Sequence, residues 1–223
     1  MTYPNAANGV KKLFTAQILF LISSIAGVIA AVITAATSVS KVINAVGSQD
    51  LEAGVSSVFG GLVAAGSIGI VYVVIMIVAL IIQIIGLAKA GKDENMIKLA
   101  FILTLVELLV KIISAVATFS APTLSSVLSL AASVLQIVVS ILIILGISKL
   151  AISLGNERIA KSGKVLIAIV LITQILSAII SFIIARALVA AGVMAVIAVV
   201  LSIIGYIMYI VFLGRAKNFL ATA

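Results

Sequence analysis

Six long, unbroken apolar runs dominate this chain, near residues 13–36, 62–88, 97–119, 125–148, 164–185 and 192–214. A helix needs about 20 residues to cross a hydrocarbon core of roughly 30 Å, and each run is long enough. The runs are continuously apolar rather than alternating, which predicts helices and not barrel strands. A soluble fold is excluded, because only 9% of the residues are charged and 65% are apolar. That is too little charge to cover a water-facing surface. The mean hydropathy of +1.48 agrees. The expected fold class is therefore an all-α integral membrane protein with six transmembrane helices.

The first run has some features of a secretory signal: Lys11 and Lys12 precede it and Thr34-Ala35-Ala36 lies at its end. It is too long for a signal core and reads as the first membrane helix.

The absent residue types remove whole classes of chemistry. There is no Cys and no His, hence no disulfide, no thiolate or iron–sulfur ligation, and no imidazole base or metal ligand. The six acids do not pair as carboxylates inside a span. No Walker sequence, dinucleotide fingerprint or nucleophile elbow is present, and Gly91-Lys92-Asp93-Glu94-Asn95 and Gly155-Asn156-Glu157-Arg158 read as polar turns. Neither an enzyme nor a bound metal or cofactor is expected.

The basic residues predict the orientation. Lys11, Lys12, Lys89, Lys92, Lys98, Lys149, Arg158, Lys161, Lys164, Arg215 and Lys217 all fall on one side of the six runs. Only Lys41 and Arg186 fall on the other, and Lys111 lies within a run. The positive-inside rule then puts both termini in the cytoplasm, in a multi-pass plasma-membrane protein. The net charge of +8 is scattered over short loops without nucleic-acid-reading aromatics, so anionic lipid headgroups, not nucleic acid, are the expected partner.

The runs also repeat. Gln17-Ile18-Leu19-Phe20-Leu21-Ile22-Ser23-Ser24, Glu107-Leu108-Leu109-Val110-Lys111-Ile112-Ile113-Ser114 and Gln174-Ile175-Leu176-Ser177-Ala178-Ile179-Ile180-Ser181 share [Gln/Glu]-[Ile/Leu]-Leu-x-x-Ile-x-Ser in the odd runs. The even runs end in Gly86-Leu87-Ala88-Lys89, Gly146-Ile147-Ser148-Lys149 and Gly214-Arg215-Ala216-Lys217. The glycine permits close helix approach, and Lys89, Lys149 and Lys217 serve as interface anchors. A single membrane domain over 1–223 is expected, made of three helical hairpins at 11–90, 97–150 and 164–218.

Spacing sets the first hairpin apart. Glu107 to Gly146 is 39 residues and Gln174 to Gly214 is 40, but Gln17 to Gly86 is 69. The surplus of about 30 residues falls near 37–66, on the outer side. There Val39, Val42, Ile43 and Val46 have helical spacing, Gly47-Ser48-Gln49-Asp50 makes a turn, and Asp50 is placed to cap the next helix. An outer extension of the first hairpin is predicted.

Small residues recur every four positions at Ser23, Gly27, Ala31 and Ala35 and again at Ala53, Ser57, Gly61, Ala65 and Gly69, with Ser125, Ser129 and Ser133 in the fourth run. Of these, Gly27, Ala31, Gly61, Ala65 and Gly69 are the candidate helix-packing positions, since small side chains let backbones approach in lipid. The seams lie in the outer halves, which suits a bundle pinched outside and wider inside; the alternative is that bulky side chains simply fill the inner width.

Glu107 and Lys111 lie in the middle of the third run, four apart with the acid first, as suits an intrahelical ion pair. Repeat symmetry places Gln17 and Gln174 at the position of Glu107. A polar site of Glu107, Lys111, Gln17, Gln174, Gln83 and Gln136 is the candidate functional centre, because ionisable groups at membrane depth are costly. The alternative is a self-satisfied pair with structural amide bonds. Two functions follow. The first is a non-enzymatic accessory or scaffold protein, docking a membrane-protein partner or a second copy through small-residue faces and the outer hairpin. The second is a transporter or channel for a small solute, ion or proton, centred on Glu107.

Overall fold

The computed structural model describes the backbone of residues 3–48, 51–183 and 188–222, and side-chain surroundings over 3–28, 70–118, 120–121, 123–176 and 197–222. The regular structure among these residues is all helical: α1 Pro4–Ser48, α2 Leu51–Ala90, α3 Asn95–Ser120, α4 Pro122–Ser153, α5 Glu157–Ile183 and α6 Leu188–Thr222. All six are long and apolar enough to cross a membrane. Continuous runs of Ile, Leu, Val and Ala leave the backbone no water to bond with in lipid, so each helix satisfies its own amides internally.

The first two helices are the longest. At 1.5 Å per residue, the 45 residues of α1 span about 67 Å and the 40 of α2 about 60 Å, each roughly twice a hydrocarbon core. Helical backbone reaches Ser48 and resumes at Leu51. The predicted Asp50 cap lies outside the described residues, as do the side chains of Ala31, Gly61, Ala65 and Gly69.

The chain divides into two compact units, one of residues 1–14 with 84–223 and one of residues 15–83. In the first unit α3 packs on α4 and α5 on α6, and α4 also packs on α5. Its largest fully buried side chains are Val10 and Leu13 of α1, Leu87 of α2, Ile97 of α3, Ile143, Ile144, Ile147 and Leu150 of α4, Leu166 of α5 and Leu213 of α6. All stand toward the basic ends of their helices. The opposite halves of α3 and α4 instead turn Ile112, Ile113, Val116, Val127 and Leu130 outward, as expected of surfaces wetted by lipid. Ser114, Ala117, Ser125 and Ala132 are nonetheless buried in those same halves, so small residues pack there where bulky aliphatic side chains pack at the basic ends. The expectation of a bundle pinched outside and wider inside falls mainly on side chains of α1, α2, α5 and α6 outside the described residues.

Backbone proximity makes room for that core. A Cβ on Gly9 would lie 2.6 Å from the Gly86 carbonyl oxygen and from Ala90, and one on Gly86 would lie 3.0 Å from the Gly9 carbonyl oxygen. α1 and α2 therefore touch main chain to main chain at this end, which only glycine permits.

Turn chemistry fixes the joints. After α4, Gly155 takes φ +81°, the left-handed conformation that ends helices. Its N–H donates to the Ile152 carbonyl at 2.9 Å and the Asn156 N–H to the Ala151 carbonyl at 2.8 Å, the paired bonds of a Schellman turn. Asn156 then caps α5 by accepting the Ile159 N–H at 3.2 Å. Pro122 opens α4 one residue after Ala121 closes α3, where its missing N–H costs nothing.

In the second unit α1 and α2 meet through Ser23 and Gly27. The Ser23 hydroxyl donates to the Tyr72 carbonyl at 3.4 Å, and a Cβ on Gly27 would stand 3.2 Å from the Tyr72 ring. The small seam here seats an aromatic ring.

Candidate functional site

Glu107 and Lys111 form the predicted ion pair, with Nζ 2.6 Å from Oε1. One helical turn separates them, so the pair closes on the surface of α3 without a second helix. The two partners differ in exposure. The Glu107 side chain is 11% exposed and that of Lys111 is 51% exposed. The surface around the lysine is apolar, with Leu109, Ile112 and Ile113 all exposed.

The other residues of the candidate polar site have varied surroundings. Gln17 is buried and hydrogen-bonded or otherwise partnered, Gln83 is half-buried, and Gln136 and Gln174 are exposed. Equivalent positions of the repeat, Gln17, Glu107 and Gln174, therefore do not share one environment. The same holds at the motif's closing serine: the Ser24 hydroxyl turns back to the Phe20 carbonyl at 2.8 Å, whereas Ser114 is buried between helices.

Many of the described hydroxyls in the spans bond back to their own helix. Thr104 donates to the Ala100 carbonyl, Ser140 to Gln136, Thr173 to Ile169 and Ser202 to Ala198, each one turn back. α3 and α4 carry an interhelical cluster instead. The Ser114 hydroxyl lies 2.9 Å from that of Ser129, the Thr118 hydroxyl lies 2.9 Å from that of Ser125, and Ser125 also lies within 3.1 Å of the Ser114 carbonyl. The seam of Ser125 and Ser129 thus works as polar glue as well as by its small size.

The repeated Gly-x-[Ala/Ser]-Lys ends all lie at helix contacts. Gly86 meets α1, Gly146 faces Ile97 of α3, and Gly214 faces the Phe14 ring of α1. The third partner breaks the repeat: α6 closes on the first helix. The anchors also diverge. Lys149 pairs with Glu94 at 2.9 Å, Lys217 sits 4.5 Å above the Phe14 ring, and Lys89 is half-buried. Ser148, the small residue of the middle motif, is buried against Gly163, and its Oγ has no hydrogen-bond partner among the described residues.

The loop between α2 and α3 does more than turn the chain. Asp93 accepts the Ala6 N–H at 2.7 Å and the Asn5 side-chain amide at 2.9 Å, so it caps the start of α1 from a distant segment. Glu94 is 8% exposed; it accepts the Met96 N–H at the start of α3 and the Lys149 ammonium from the end of α4. Carboxylates at helix N-termini also meet the positive end of the helix dipole. Adjacent acids just before Asn95 were a readable cap signal for α3, but nothing local marked Asp93 as the cap of α1. No protein-family model, no curated protein and no solved structure matches this chain.

Proposed function

We propose that this polytopic membrane protein is a non-enzymatic accessory subunit that docks a second membrane protein across the surface of α3. The observation that carries this reading is the half-exposed Lys111 on an otherwise apolar helix face at membrane depth. An ammonium has three donors and Glu107 takes one at 2.6 Å. A partner helix presenting a carboxylate or amide oxygen opposite Lys111 would satisfy the others and remove the charge from lipid.

Three helical hairpins with both termini in the cytoplasm of a plasma membrane remain the best account of the basic-residue asymmetry and the repeated motifs. The length of α1 and α2 supports helical arms that continue beyond the outer headgroups, a further place for a partner to bind. A second reading, a proton, ion or small-solute pathway, is favoured by the burial of Glu107 near the middle of its span. The lysine beside it weighs against that reading, since a neutralised carboxylate is a poor relay.

Purification of the full chain from native membranes in mild detergent tests the proposal. A stoichiometric membrane-protein partner that is lost on Lys111→Met is expected. A wild-type chain that is monomeric and unaccompanied would sink the docking reading, and proton-coupled flux in liposomes abolished by Glu107→Gln would establish its rival.

A further inference from the structure

A cleft of about 360 Å³ opens where the start of α5 meets the end of α6. Two helix faces build it. Arg158 and Ser162 stand four apart on α5, and Arg215, Asn218 and Phe219 occupy positions i, i+3 and i+4 on α6. Asn156 and Ile159, the latter 6% exposed, complete the lining.

The lining is rich in donors and has no carboxylate. Neither guanidinium has an acidic partner among the described residues. Glu157, the neighbouring acid, is paired with Lys161 at 3.5 Å. The Asn156 side-chain Oδ1 accepts the Ile159 N–H, which leaves the Nδ2 end as a donor. Guanidinium forks match phosphate oxygens in geometry as well as charge. Phe219 and Ile159 add an apolar side that a bare ion does not use. The position is also suited: the candidate span on α5 begins at Glu157 and that on α6 ends at Thr222, so the cleft lies at the basic ends of both helices, the ends that headgroup phosphates attract. Basic pockets between transmembrane helices at this level are suited to anionic lipid headgroups.

We propose that the cleft between α5 and α6 binds the phosphate ester of an anionic phospholipid, clamped by Arg158 and Arg215, with Phe219 against the glycerol and first acyl carbons. This site is independent of the α3 surface.

The test is native mass spectrometry of the full, delipidated chain titrated with dioleoyl phosphatidylglycerol, dioleoyl phosphatidylcholine or inorganic phosphate. One phosphatidylglycerol should bind at concentrations where phosphatidylcholine does not. Arg158→Gln and Arg215→Gln should each weaken it roughly fivefold, while Lys164→Gln, which removes the same single charge outside the cleft, should leave it unchanged. Phe219→Ala should weaken the lipid and leave phosphate unaffected. Equal binding of the two lipids by the wild type overturns the proposal even if the arginine variants fail to fold. An equal loss in the lysine control overturns it too, by showing diffuse attraction. Inorganic phosphate that binds as tightly as the lipid would overturn the lipid as the source.

Discussion

The Asp93 carboxylate accepts the backbone N–H of Ala6 at 2.7 Å, across 87 residues of sequence. The same side chain takes the Asn5 amide at 2.9 Å. Removing it leaves the first turn of α1 without its acceptor. Asp93→Ala should cost about 1–2 kcal/mol, and Asp93→Asn less, because an amide oxygen still accepts. Amide exchange at residues 6–8 should rise more than exchange in α3; uniform acceleration would show that the cap acts globally instead.

Gly9 and Gly86 bring two backbones together with no room for a methyl group. Gly9→Ala should destabilise by about 1–3 kcal/mol through overpacking, despite alanine's better helix propensity. Gly155→Ala should cost about 1 kcal/mol for a different reason, its positive φ. Thermal melts in detergent separate the cases: only Gly9→Ala should also loosen the burial of Leu13.

Two buried serines should respond with opposite signs. Ser114→Ala removes the centre of the α3–α4 hydroxyl cluster and should cost about 0.6–1.7 kcal/mol. Ser148→Ala deletes a buried hydroxyl that lacks a partner and should stabilise by about 1 kcal/mol. Equal destabilisation by both would mean that Ser148 finds an acceptor by a small rotation.

For Glu107 and Lys111 the single and double variants matter more than either alone. Glu107→Leu leaves a cation in an apolar setting and should destabilise by about 1–2 kcal/mol, the half-exposed lysine reducing the penalty of a fully buried pair. Glu107→Leu with Lys111→Met should melt within about 1 kcal/mol of the wild type, since apolar replacement of both partners is often neutral. A double variant that is stable yet has lost its partner would separate docking from folding.

The helices were legible because lipid imposes one rule on every apolar run, and that rule needs no knowledge of neighbours. The Glu107–Lys111 pair was legible for a similar reason: four residues on a helix fix a distance. The surroundings of Gln17, Glu107 and Gln174 were not, because sequence equivalence among repeats says nothing about which neighbour each helix finally meets. Gly214 shows this, matching Gly86 and Gly146 in motif but packing on Phe14 of α1. The Asp93 cap and the cleft at Arg158 and Arg215 were hidden too, since each is assembled from segments far apart in the chain.

The contact of α6 with Phe14 has a consequence for biosynthesis. Gly214 and Lys217 are made some 200 residues after Phe14, yet their seat is on its ring. During translation that seat stays open while α2 to α5 are inserted, so the nascent protein exposes an unfilled aromatic notch until α6 leaves the ribosome. A chain cut short before residue 212 would carry every earlier hairpin and still lack its closing contact. That gives the membrane's proteolytic surveillance a physical difference between finished and unfinished copies.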